Sequence, residues 1–176
     1  MAQDALLTLA DDQPIATTAA TGYVVSEHTI NLGASHDAFN GLQMFAVLTV
    51  KTSFTAAAAT SSFQFQIKAA TAAPVVFGSL AAQELTPTIA QSPRFLVGDL
   101  QKGSRIVVPL GPFTNEFGTG VFALFRPEGV PVIYAFLRTQ DAALSPVDFT
   151  GGTFDLEIRT ENPAGQKYYP QTNSVG

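Results

Sequence analysis

Seven residues near the middle of the chain, Ser62-Phe63-Gln64-Phe65-Gln66-Ile67-Lys68, alternate apolar and polar side chains without a break. Successive side chains of a strand point to opposite faces, so Phe63, Phe65 and Ile67 share one face and Gln64, Gln66 and Lys68 the other. That pattern predicts a half-solvated antiparallel sheet. The run Thr153-Phe154-Asp155-Leu156-Glu157-Ile158-Arg159 repeats it, which predicts Phe154, Leu156 and Ile158 inward and Asp155, Glu157 and Arg159 towards water.

Two other runs, Met44 to Val50 and Val130 to Leu137, are apolar on both faces. Such runs suit either central strands or strands covered by a neighbouring subunit, and both readings stay open at this level. Arg105 to Leu110 reads as a further strand, with Pro109 placing its end at an edge or a bulge because proline cannot donate to the ladder. Shorter candidates are Thr29 to Leu32, Pro74 to Leu80, Arg94 to Val97 and Gly120 to Phe125, and evidence for helices is weak. Turn residues separate the runs at Asn31-Leu32-Gly33, Asn40-Gly41, Gly111-Pro112, Gly118-Thr119-Gly120, Pro127-Glu128-Gly129 and Gly151-Gly152. Many short strands with frequent turns predict an all-β antiparallel sandwich. The Ala/Thr-rich stretch Thr55 to Thr60 and the segment Asn162 to Gly176 fall outside that pattern, and the latter reads as an extended C-terminal arm. With 176 residues, 46% hydrophobic and 13% charged, the chain has the size of one domain and enough apolar surface to build its core.

The residues that could carry chemistry are few. The chain has no cysteine, which removes disulfides, thiolate metal sites and Cys nucleophiles together. Its net charge of -5 comes without any basic stripe, so nucleic-acid binding is not expected. The N-terminus lacks the basic start of a signal peptide, and no apolar run approaches the roughly 20 residues that cross a bilayer, so the expectation is a soluble chain without membrane contact. His28 and His36 are the two histidines. Gly33-Ala34-Ser35-His36-Asp37 only superficially suggests a triad, because sequence-adjacent Ser, His and Asp rarely point at one another. His28, His36 and Asp37 lack the spacing of a zinc site. Asp11-Asp12 is assigned to a loop, and Asp155/Glu157 to a solvated strand face beside Arg159, so neither pair shows the divergent environments that acid/base work requires. No catalytic, cofactor or metal residue is assigned, and the chain is not expected to be an enzyme.

Fourteen Phe, four Tyr and no Trp describe a core better than a sugar-stacking platform. Tyr168-Tyr169-Pro170 stands apart, because aromatics in a polar, extended segment bury little surface unless they dock onto something. A docked arm and a frayed terminus are the two readings of that segment, and these three residues are the candidate protein interface.

The order of these pieces resembles the Bbp16-type capsid cement proteins of tailed bacteriophages. The carrying residues are Leu9 to Thr21 and Ile30-Asn31-Leu32-Gly33, then Thr52-Ser53-Phe54-Thr55-Ala56-Ala57 followed by Phe63-Gln64-Phe65-Gln66, and later Gly129 to Arg138 and Phe149 to Phe154. Asn31 stands where the family usually has Asp, the middle from about Ala81 to Asn115 matches poorly, and the tail beyond Arg159 has no counterpart in most members. The resemblance implies a jelly-roll sandwich over residues 1–160 with a tail over 161–176, and a structural role without site residues. It further implies a decoration protein on the outer surface of a phage head, clamping major capsid protein subunits, itself a homodimer or homotrimer. A net acidic domain is repelled by packaged DNA, which agrees with an outer position. The alternative is a carbohydrate- or receptor-binding β-sandwich of a phage tail or secreted protein, which calls for exposed aromatics. A cupin-type metalloenzyme would need clustered His and Glu, which two histidines hardly supply.

Overall fold

A computed structural model describes residues 7–16, 22–31, 43–70, 88–112 and 132–159. These form ten strands: β1 (Thr8–Pro14), β2 (Tyr23–Val25), β3 (Ile30–Asn31), β4 (Gln43–Ala56), β5 (Ser62–Ala70), β6 (Thr88–Gln91), β7 (Phe95–Leu96), β8 (Arg105–Pro112), β9 (Val132–Gln140) and β10 (Phe149–Arg159), with a 3-10 turn at Val97–Asp99.

The pairing is nested. β1 pairs with β10, β2 and β3 with β9, β4 with β8, and β5 with β6 and β7, all antiparallel. The chain is thus one long hairpin. Lateral ladders between β10 and β4 and between β9 and β5 roll that hairpin into two sheets, ordered β1-β10-β4-β8 and β2-β9-β5-β6. Two sheets connected in this way are a jelly roll, so the all-β sandwich read from the strand pattern is the observed fold.

Alternation fills the space between the sheets. Phe63, Phe65 and Ile67 of β5 and Ile133, Ala135 and Leu137 of β9 meet Met44, Ala46, Leu48 and Val50 of β4 and Phe154, Leu156 and Ile158 of β10 in one buried cluster. The two-faced runs are the central strands, β4 between β10 and β8, and β9 between β2 or β3 and β5. At one end of the core Phe54 packs edge-on against Phe63, Phe149 and Phe154, with ring centroids 5.3, 6.2 and 6.3 Å apart.

Several local expectations need correction. Gly151-Gly152 is not a break between runs but part of β10, where the register against β4 shifts. Gly152 has φ +116°, and a Cβ there would lie 2.5 Å from Phe54 Cδ1, so the bulge needs glycine both for its backbone and for the close approach of Phe54. Asp11-Asp12 is not a loop but a bulge in β1, with shifted register between Ala10 and Gln13 and φ +49° at Asp12. Inserting a residue lets both carboxylates face water while Leu9 and Ala10 remain in the core. The stretch Thr55 to Thr60 is partly strand, since β4 runs through Ala56. Arg94 to Val97 is shortened to β7 before the 3-10 turn, and β1, β2 and β6 lacked a clear alternating signal. Pro74 to Leu80 and Gly120 to Phe125 lie outside the described residues.

The outer strands share a way of ending their own ladders. Among the described residues β8 is an edge, and Pro109 stands in it beside a register shift against β4, as its missing N–H requires. The edges of the second sheet are each broken by a buried serine. Ser26, between β2 and β3, donates its N–H to the Ala135 carbonyl, and its Oγ accepts the Ala135 N–H at 2.9 Å. Ser92, between β6 and β7, donates its N–H to the Phe65 carbonyl while its Oγ accepts the Phe65 N–H at 3.1 Å. In both places a hydroxyl replaces a backbone carbonyl, so the edge strand leaves the ladder without orphaning the central strand's donor.

Removing either hydroxyl strands a buried N–H, so Ser26→Ala and Ser92→Ala are each expected to cost about 1–3 kcal/mol in urea unfolding. Gly152→Ala, which meets both a left-handed backbone and the Phe54 ring, is expected to cost at least as much, whereas Gly103→Ala, with open space around it, shows only the smaller backbone penalty.

Candidate interaction surfaces

The residues first considered for chemistry lie partly outside the described residues. His28 is exposed on the connection between β2 and β3, and His36 and Asp37 lie outside the described residues. Among the described residues no group of three or more His, Cys, Asp or Glu is placed to hold a metal ion. The candidate interface Tyr168, Tyr169 and Pro170 also lies outside the described residues. What the structure does bring together is on the outward faces of the two sheets.

On the second sheet, Tyr134 and Phe136 of β9 and Lys68 of β5 point away from the core, because Ile133, Ala135, Leu137 and Ile67 on the same strands point into it. All three are nevertheless buried, at 1%, 0% and 1% exposure. Tyr23 stacks on Phe136 with centroids 5.2 Å apart. Lys68 Nζ sits 5.3 Å from the centre of the Phe136 ring and donates to Thr88 Oγ1 at 3.1 Å. Lys68 is therefore a correction: the alternating pattern places it in water, but it is buried, and its ammonium meets a ring face and a hydroxyl.

The first sheet has the corresponding feature. Phe45 and Val47 of β4 and Val107 of β8 form a second buried cluster on its outward face, separate from the core. Register puts Glu157 beside Val47 and Arg159 beside Phe45. Glu157 is buried and not in water as its strand pattern suggests. Arg159 pairs with it through Nε and Nη2, each 2.6 Å from Oε2, so the buried carboxylate has a charge-assisted partner beside its apolar neighbours.

Further along the same face the chemistry changes. Lys51 lies 3.0 Å from Asp155, and Asp155 Oδ1 also accepts the backbone N–H of Asp12 at 2.9 Å, tying the β1 bulge to β10. Through its hydrogen bond and then its charge, Asp155 holds the Lys51 amine above the ordinary lysine value, with Asp12 and Asp11 adding to it. A raised value of this kind means that the pair's contribution is complete at neutral pH and is lost only as pH rises through the folded-state value. Lys51 is exposed and Asp155 partly so, and solvent screening keeps the pair's weight in stability small.

The sandwich is thus polarised along its strands. Its apolar outward residues run from mid-sheet, at Phe136 and Val107, toward the end where β10 finishes at Arg159, β3 at Asn31, β5 at Ala70 and β8 at Pro112, and where β4 and β9 begin. The sequence stretches 32–42, 71–87 and 113–131 and the chain beyond Arg159 all attach there. Connections at the opposite end are short. The double-faced runs signalled Phe45, Val47, Tyr134 and Phe136; nothing in the pattern signalled Lys68 or the pairing of Val107 with them.

By sequence the chain matches no protein-family model and no curated protein. Among solved structures it is similar to a chain of the infectious bursal disease virus (Gx strain) structure, with a TM-score of 0.39 and 10% identity over 86% of this chain and 30% of that one. The chain spans about 30% of that chain's length, and a likeness at this level assigns neither family nor function. The cement-protein family therefore stands on the sequence resemblance alone.

Burial of the outward aromatic layer gives a direct prediction. Phe136→Ala is expected to cost about 3–5 kcal/mol, as for a core phenylalanine, although the side chain faces away from the core. If the ring were solvated, denaturant unfolding would show a change of about 0.5 kcal/mol or less.

Proposed function

We propose that this chain is a structural virion protein: a capsid cement or decoration protein that binds the outer surface of a tailed-phage head and stabilises contacts between major capsid protein subunits. The observation that carries this reading is a jelly roll whose two sheets both bury apolar side chains on their outward faces. Solvated antiparallel sheets of a free-standing binding module are expected to be polar there. A sandwich with extra apolar layers on its outward faces is suited to holding chain segments or neighbouring subunits against them. The sequence resemblance supplies the phage head as partner, and the net charge of -5 favours the outer side over the DNA side.

On this reading the protein performs no reaction, holds no cofactor and acts as a homodimer or homotrimer at a symmetry position of the shell. The alternative, a carbohydrate- or receptor-binding module, draws less support from the surface: the exposed large hydrophobics among the described residues are Leu96 and Leu144, neither of which offers a ring for sugar stacking.

Purified protein added to phage shells lacking it is expected to saturate fixed symmetry positions on the outside, visible by electron microscopy. Shells that stay bare at micromolar protein would refute the assignment, and a melting temperature raised by a glycan would favour the alternative instead.

A further inference from the structure

The exposed charges of the sandwich are sorted by side. β1 and the connection between β2 and β3 lie together on one side, where the His28 N–H donates to the Leu9 carbonyl and the Gln13 side chain bridges the Val25 carbonyl and the Glu27 N–H. β8 and β6 lie together on the other. The first side exposes Asp11, Asp12 and Glu27. The second exposes Arg94, Lys102 and Arg105, with Asp99 beside them.

Register sets the two signs at one height of the first sheet. The Asp12 N–H binds Asp155, Asp155 stands opposite Thr49, and Thr49 stands opposite Arg105. Lys51, the cation between them, is already held by Asp155. Among the described residues the three carboxylates and the three cations form no ion pair within the chain. The carboxylates are not grouped to hold a metal ion either. With the β1 bulge and Pro109 blunting both edges, a partner on either side meets side chains, not a free backbone ladder.

We propose that the acidic side of one copy faces the basic side of the next in a closed ring of three copies of this chain. The inference rests on the assembly role proposed above and chooses between its dimer and its trimer. A two-fold contact is isologous, so through these surfaces it would set acid against acid or base against base. Opposite sides meet only head to tail, and a head-to-tail contact between them closes from three copies upward. Exposed ion pairs are individually weak. Their part is to fix which sides meet and in what order, in a chain whose net charge of -5 opposes any other approach.

Sedimentation velocity over a dilution series tests this with the full chain and three variants: the acid-side change Asp11→Lys, Glu27→Lys, the base-side change Lys102→Glu, Arg105→Glu, and all four together. All four side chains are exposed, and Asp12 is left alone because its backbone is left-handed. The wild type is expected to form trimers that weaken with salt. Each two-residue variant is expected to weaken association by about tenfold or more, and the four-residue variant, whose sides are complementary again, to restore the trimer. The acid-side variant is the sharpest arm. Each change to Lys adds two charges, so the pair brings the net charge from -5 to -1, and if general repulsion governed association it would associate more tightly than the wild type. That result would overturn the proposal. A wild type that is monomeric or dimeric throughout would do so too, as would a four-residue variant no tighter than the two-residue ones. Mixed together, the two half-reversed variants are expected to alternate and give even-numbered species; a trimer from that mixture would also count against the ring. Shell binding is measured separately: a monomer that decorates shells overturns the ring and leaves the cement role standing, and a trimer that ignores shells does the reverse.

Discussion

The lateral ladders between β10 and β4 and between β9 and β5 hold the roll together. Each hairpin pair in the nest forms between the two arms of one rolled ribbon, but only these two ladders join turns of the ribbon side by side. Without them there would be a long two-layered ribbon and no enclosed core. They are also remote in sequence, since Phe149 pairs with Ala56 and Ser62 with Gln140, so loop closure is costly before any apolar contact is gained. The chain has no cysteine to tie them covalently. Side-chain burial on the strands that form them must supply the stabilisation, which is why β4 and β9 are the runs that are apolar on both faces.

That demand explains which parts of the fold were legible in the sequence. Alternation over Phe63 to Lys68 and Phe154 to Arg159 identifies residues that do face the core, and the double-faced runs identify the central strands. The edge strands gave weaker signals for physical reasons. β1 hides its alternation behind the Asp11-Asp12 bulge, and β2 and β3 are halves of one interrupted strand, as are β6 and β7. Gly151-Gly152 has the composition of a turn and the role of a bulge. Its use depends on Phe54, nearly a hundred residues away, which no local reading can supply. Lys68 and Glu157 fail for the same kind of reason. A charged residue on a polar-patterned face reads as solvated, and only the neighbouring strands reveal Phe136 beside Lys68 and Val47 beside Glu157.

The interruptions have a second consequence. An unbroken edge offers a row of unpaired donors and acceptors to any passing strand. Here β1 carries a bulge, β8 a proline, and the two edges of the other sheet a serine break each, so among the described residues no edge presents a long flat ladder. Strand addition is therefore a poor route for partners. Contacts through side chains are left, on the sheet faces, at the strand ends and along the charged sides.

The two ends then differ in kind. At one, long sequence stretches attach and apolar residues on the outward faces of both sheets are shielded from water. At the other, the turn around Asp141 is closed by its own hydrogen bonds, and among the described residues the exposed large hydrophobics are Leu96 and Leu144. A jelly roll separates the two ends without extra machinery. Antiparallel strands alternate the ends at which their connections fall, so lengthening alternate connections gathers the long stretches of sequence at one pole and leaves the shorter connections at the other.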